Sequence, residues 1–69
     1  MLNMSKELEK LINEDHYHEI ADRLHVIMTN IDTHIIQHPV SKINKKIYSK
    51  VDSAVSLLCE AYQEAGQKL

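Results

Sequence analysis

The stretch Ile35-Ile36-Gln37-His38-Pro39-Val40-Ser41-Lys42-Ile43 decides how this chain folds. A proline excludes the residue before it from comfortable helix, so a helix arriving at Gln37 must stop there. Ser41 has the side chain of an N-cap, and Lys42 then opens a new helix. On the upstream side Ile20, Leu24, Ile27, Met28, Ile31 and Ile35 recur at helical spacing. Ile43, Ile47, Val51, Ala54, Leu58, Tyr62 and Ala65 do the same downstream. The spacing predicts helices over about 16–37 and 41–65. At 1.5 Å per residue each would be ~33–36 Å long. Two helices of matched length on either side of a short turn form an antiparallel hairpin. Gly66 is expected to take the left-handed conformation that closes the last helix.

Working outward, Ser5 is placed to cap a short amphipathic helix over about 5–13. Met4, Leu8, Leu11 and Ile12 share one of its faces. Asn13-Glu14-Asp15 breaks that rhythm, and Asn13 or Asp15 can cap the helix that follows. The predicted fold is all-α, an antiparallel helical hairpin preceded by a short N-terminal amphipathic helix. It forms one small domain over 1–69.

With 69 residues, a domain buries only ~60% of the surface its unfolded chain exposes. A core of this size rarely supplies more than ~3–5 kcal/mol without a staple. Cys59 is the one cysteine, so no internal disulfide can serve as that staple, and a lone thiol suits a reducing compartment. One glycine, one proline and no tryptophan or phenylalanine argue against a β-rich or enzyme-like fold.

The formal net charge is −2 with histidines neutral, and protonating all five would bring it to +3. Near neutral pH there is no basic field to draw in nucleic acid. Lys42, Lys45, Lys46 and Lys50 cluster early in the last helix, with Asp52 close behind, as on a solvated helix face. No segment is apolar for long enough to span a bilayer. The first residues lack the charged-then-apolar layout of a signal peptide. A cytoplasmic location is expected.

Advancing about 100° per residue places the faces. The stripe of the second helix centres on Leu24 and Ile31. That of the third centres on Leu58, with Ile47 and Val51 near it, and these stripes are expected to meet. Tyr48, Val55, Cys59 and Tyr62 then flank the third helix on the same side as Ala21, His25, Met28 and Ile36 of the second. Ala21, Met28, Ile36, Tyr48, Val55, Cys59 and Tyr62 are thus the expected partner-binding surface, and the opposite side is read as mostly polar. The first helix folding back with Leu8, Leu11 and Ile12 would cover this surface. Otherwise a second copy or a different protein must. Tyrosine suits such a place, since its ring buries area while its hydroxyl stays wet.

Reactive chemistry is poorly provided for. Of five histidines only His34 and His38 have a metal-pair spacing, and a structural zinc needs about four converging ligands. No metal or cofactor is expected. Cys59 sits in a packing environment of Val55 and Tyr62, with no base aimed at it, so no enzymatic role is expected. The second helix carries Arg23 as its one arginine and no lysine, beside Glu19, Asp22 and Asp32. That is a poor membrane-surface helix.

Several positions carry a family resemblance across nearly the whole chain. They are Ile20-x-x-x-Leu24, Thr29 with Ile31, and Ile35-Ile36 before the turn. After it come Ile47, Val51, Ala54, Leu58 and Tyr62, ending in Ala65-Gly66. With the short N-terminal helix, this layout resembles the small co-chaperones of type III secretion needle subunits, the YscE/PscE/EscE group. The resemblance implies a non-enzymatic bacterial cytoplasmic protein. Its partner would be a larger helical-repeat chaperone of tetratricopeptide type, and together they would keep the needle subunit unpolymerised. The alternative is a homodimeric four-helix-bundle regulator, two copies sharing one isologous interface. RNA contact across Lys42–Lys50 would then be expected to depend on salt.

Overall fold

The computed structural model describes the backbone of residues 2–69 and the side chains of residues 6–69. Helix α1 spans Leu2–Leu11 and α2 spans Glu14–Ile31. Five further residues, Asp32–Ile36, continue α2 as a π-helical turn. A one-turn helix, α3, covers Pro39–Ile43, and α4 runs over Lys45–Gln67. There is no strand among the described residues. The all-α hairpin is therefore present, with α2 packed against α4.

The starts of α2, α3 and α4 are each set by a side chain that accepts from an otherwise unpaired backbone N–H. The Asn13 side-chain oxygen accepts from the backbone N–H groups of Asp15 (2.9 Å) and His16 (3.3 Å). The Asn13 N–H donates in return to His16 Nδ1 at 3.0 Å, which closes a reciprocal capping box. His38, extended at ψ 140°, accepts from the Val40 N–H at 3.1 Å through Nδ1, and Pro39 follows at the first helical position. Asn44 breaks out of the helical region at ψ 95° and accepts from the Ile47 N–H at 3.2 Å.

Three expectations about helix ends are corrected by these caps. Ser41 does not begin the last helix: it lies inside α3, and Asn44 is the cap of α4. Gly66 has no positive φ, and α4 runs through it to Gln67. The α1 backbone is already helical at Leu2, ahead of Ser5, so Ser5 does not start it. The side chains of Met4 and Ser5 lie outside the described residues.

The seam of the hairpin follows an alternating four-and-three spacing, the pattern that keeps one stripe facing a neighbouring helix. Tyr17, Ala21, Leu24, Met28 and Ile31 supply it from α2, and Val51, Val55, Leu58, Tyr62 and Ala65 from α4. Ala21 (8% exposed) and Ala65 (7%) are buried at the open end, and Ser41 (5%) is buried at the turn. All three are small. Tyr17, Leu24, Met28, Ile31, Val51, Val55 and Leu58 are half-buried. No large side chain among the described residues is fully buried. Two helices enclose a seam, and a seam this thin recovers only part of the ~1.5–3 kcal/mol that complete burial of an aliphatic side chain provides.

The π turn adjusts the end of α2 to this seam. Its Gln37 N–H donates to the Asp32 carbonyl, five residues back, at 3.1 Å. The Gln37 side-chain amide also donates to the Asp32 carboxylate at 2.9 Å. Continued as a plain α-helix, Ile35 would centre on the seam and Ile36 would swing far out to one side. The wider turn rotates both back, so that they straddle the seam with Ile36 half-buried. Ser41 locks the arrangement by donating its hydroxyl hydrogen to the Ile35 carbonyl.

Among the described residues, helix α1 packs against no other element. Leu8, Leu11 and Ile12 are all exposed, so the fold-back cover expected for the hairpin is not formed. The molecule measures 48 × 23 × 16 Å, with a radius of gyration of 15.8 Å against about 11 Å for a compact domain of this length.

Candidate partner-binding face

The two helices run in opposite directions, so each step up α2 is a step down α4. The level is fixed by His25, whose ring lies 6.3 Å from that of Tyr62. It is fixed again near the turn, where Ile36 and Tyr48 line one hollow with Ser41, Lys42 and Lys45. These contacts belong to one side of the hairpin. Tyr17, Ile20, Leu24, Ala61, Glu64, Ala65 and Lys68 line a hollow on the other.

The seven residues expected to bind a partner separate on this frame. Ala21 is buried, and Met28 and Val55 are half-buried, within the hairpin's own seam. Ile36 is half-buried beside the turn. Ala21, Met28 and Val55 hold the two helices together, while Ile36 lines the hollow it shares with Tyr48. Tyr48, Tyr62 and Cys59 are exposed on the His25 side. That side also carries His18, Thr29, Asp32 and Asp52, all exposed. The Thr29 hydroxyl is spent locally, donating to the His25 carbonyl at 2.9 Å.

The side expected to be polar is the more apolar one. Ile20, Ile27, Ile35 and Ile47 lie along it, each 41–50% exposed, with Ala54 and Ala61 between them on α4. Leu57, 67% exposed, stands at its edge. Near the turn the same side opens into a hollow lined by His34, Ile35, His38, Val40, Ser41 and Ile47. Asp22, Arg23, Val26 and Ile27 line a further shallow hollow on the outward flank. Every one of these isoleucines belongs to the helical pattern visible in the sequence. Assigning them to the inward stripe hid them. The seam is rotated toward Ala21 and Ala65, whose small side chains let the helices approach closely.

Charge on this face is sparse. Arg23 pairs with Glu19 one turn back at 3.0 Å, both well exposed, a pair that contributes a few tenths of a kcal/mol at most. Lys50, Glu64 and Lys68 lie along the α4 margin. Among the described residues no three His, Cys, Asp or Glu side chains come together as a metal site would require. His16 and His38 instead give Nδ1 to backbone N–H groups. No helix among the described residues is long and apolar enough to cross a membrane.

No family model, curated protein or solved structure matches the chain.

Proposed function

We propose that this chain is a non-enzymatic binding module that completes its fold inside a larger assembly. The observation that carries the reading is the row Ile20, Ile27, Ile35 and Ile47, left half-exposed along a hairpin over which, among the described residues, α1 does not pack. Burying half-exposed isoleucines stabilises at ~25 cal/mol per Å², before the costs of association. The undocked α1, with Leu8, Leu11 and Ile12 exposed, adds a second apolar element for the same purpose.

The finer reading is a cytoplasmic co-chaperone of a bacterial type III secretion system. It would stabilise a tetratricopeptide-type chaperone and so help keep the needle subunit unpolymerised. The resemblance in layout supports it: a short amphipathic helix followed by a long antiparallel hairpin. The partner face is moved from the Tyr48–Tyr62 side to the isoleucine side, because that is where the uncovered apolar area lies. The test is affinity capture of the tagged chain from the cells that make it, with mass spectrometry of what is retained. A helical-repeat chaperone recovered together with a needle-type subunit is the expected result. Ile27→Asp should lose both. Recovery of neither from the unaltered chain overturns the co-chaperone reading.

A further inference from the structure

We infer that the isoleucine face is self-complementary and that a second copy of this chain occupies it when no larger partner is bound. The inference goes beyond the co-chaperone reading and stands or falls separately from it.

The first ground is area. The chain exposes 6027 Å². A compact monomer of 8.0 kDa exposes about 4,450 Å². The surplus is about 1,600 Å², and a standard interface takes about 800 Å² from each partner. This surplus, to which the undocked α1 contributes along with this face, exceeds what one such interface takes from each copy.

The second ground is how large and small side chains are divided on the face. The α2 half presents the branched side chains of Ile20, Ile27 and Ile35, and the α4 half presents Ala54 and Ala61, one heptad apart. A two-fold axis parallel to the helices lays α2 of each copy over α4 of the other and keeps every residue at its own level. With His25 level with Tyr62, Ile27 is level with Glu60. Its side chain then meets the other copy's α4 between Leu57 and Ala61, a bulky residue over a gap. The same operation repeats the contact in reverse. Leu57, which touches little in a single copy, gains the apolar neighbour it lacks.

The third ground is charge. On the same register Arg23 is level with Glu64 and both lie on the margin of this face. The two-fold therefore sets each arginine beside the other copy's glutamate, twice per dimer. The result is a four-helix bundle with an aliphatic middle and paired charges at its edge.

The test is sedimentation equilibrium of the purified full chain from low micromolar to near-millimolar concentration. A reversible monomer–dimer equilibrium is expected. Ile27→Asp should weaken it by at least ~100-fold, because both copies carry the change and each 1.4 kcal/mol is tenfold, while far-UV circular dichroism keeps its helical signal. Leu57→Lys is the second variant, at an edge position where misfolding is not at issue, and it should weaken the dimer in the same direction. Orientation is read by mixing an Ile27→Cys chain with an Ala61→Cys chain, both carrying Cys59→Ser, under mild oxidation. Disulfide-linked pairs should form in the mixture and not in either variant alone. A chain that stays monomeric throughout the range overturns the inference. So does a dimer indifferent to both Ile27→Asp and Leu57→Lys, or one whose mixed cysteine variants do not cross-link. Displacement of an observed dimer by a captured chaperone would support both proposals, and a dimer with no such chaperone would support this one alone.

Discussion

Leu57 and Leu58 are adjacent leucines whose mutation should have opposite consequences. Leu58 is half-buried in the seam opposite α2, whereas Leu57, one residue away, is 67% exposed and points off the hairpin's edge. Truncating a fully buried leucine to alanine costs ~2–5 kcal/mol through lost transfer energy and the cavity left behind. A half-buried one forfeits about half of the lower part of that range, so Leu58→Ala should cost about 1–2 kcal/mol. In a domain of 60–100 residues each kcal/mol moves Tm by about 4–8 °C, which gives a fall of about 5–15 °C. Leu57→Ala removes a side chain that touches little within one copy and stays within about 0.5 kcal/mol. The assay is thermal unfolding followed by far-UV circular dichroism, at a dilute and a concentrated sample of each variant. Leu58→Ala should lose stability equally at both concentrations. Leu57→Ala should match the unaltered chain when dilute and lag behind it when concentrated, since its contact lies between copies. Equal losses for the two variants in the dilute sample would mean that the seam has been placed on the wrong face of α4.

Other substitutions probe the turn and the helix ends. Ser41→Ala removes a buried hydroxyl donor to the Ile35 carbonyl and should cost about 1 kcal/mol in chemical denaturation. No loss would show that the π turn holds itself. Gly66→Ala should stabilise by ~0.4–1 kcal/mol, because the residue is helical and an added Cβ meets nothing within 4 Å. A loss of stability would contradict the continuous course of α4. His38→Asn keeps a cap acceptor for the Val40 N–H and should be close to neutral, while His38→Ala should cost about 0.5–2 kcal/mol. Equal effects of the two would remove His38 as the cap of α3. Asn13→Ala loses both halves of a capping box and should lower helix content at the start of α2, read by amide exchange at Asp15 and His16.

The fold was legible because periodicity and a proline sufficed to place two long helices and their turn. The helix ends were less so, and the reason is local. Ser41 and Asn44 are both good N-caps, and only the packed turn shows that Ser41 turns its hydroxyl back to Ile35 and leaves the cap of α4 to Asn44. Gly66 likewise reads as a helix stop in isolation, yet it has no positive φ and α4 runs through it to Gln67. The π turn carried no sequence signal of its own. It follows from a packing demand, that Ile35 and Ile36 share the seam's two flanks, and from the side chains of Gln37 and Asp32 that brace it.

The candidate site was harder for a different reason. A helical wheel gives a stripe to within a few tens of degrees, and on this chain that error decides which isoleucines are core and which are surface. Ile20, Ile27 and Ile35 are branched aliphatic residues of α2 and its π turn, so including them in an inward stripe centred on Leu24 and Ile31 assumes that aliphatic bulk faces inward. In a two-helix hairpin the opposite holds at the open end. Close approach favours alanine against alanine, Ala21 with Ala65, and bulk is pushed to the flank. A third helix would have restored the usual order by covering the flank. Since α3 belongs to the turn and α1, among the described residues, packs on no other element, the side with the greatest aliphatic bulk remains the one still to be covered. Binding is then the remaining step of folding for this chain. Substitutions at Ile27 should therefore register in association constants well before they register in the helicity of the isolated chain.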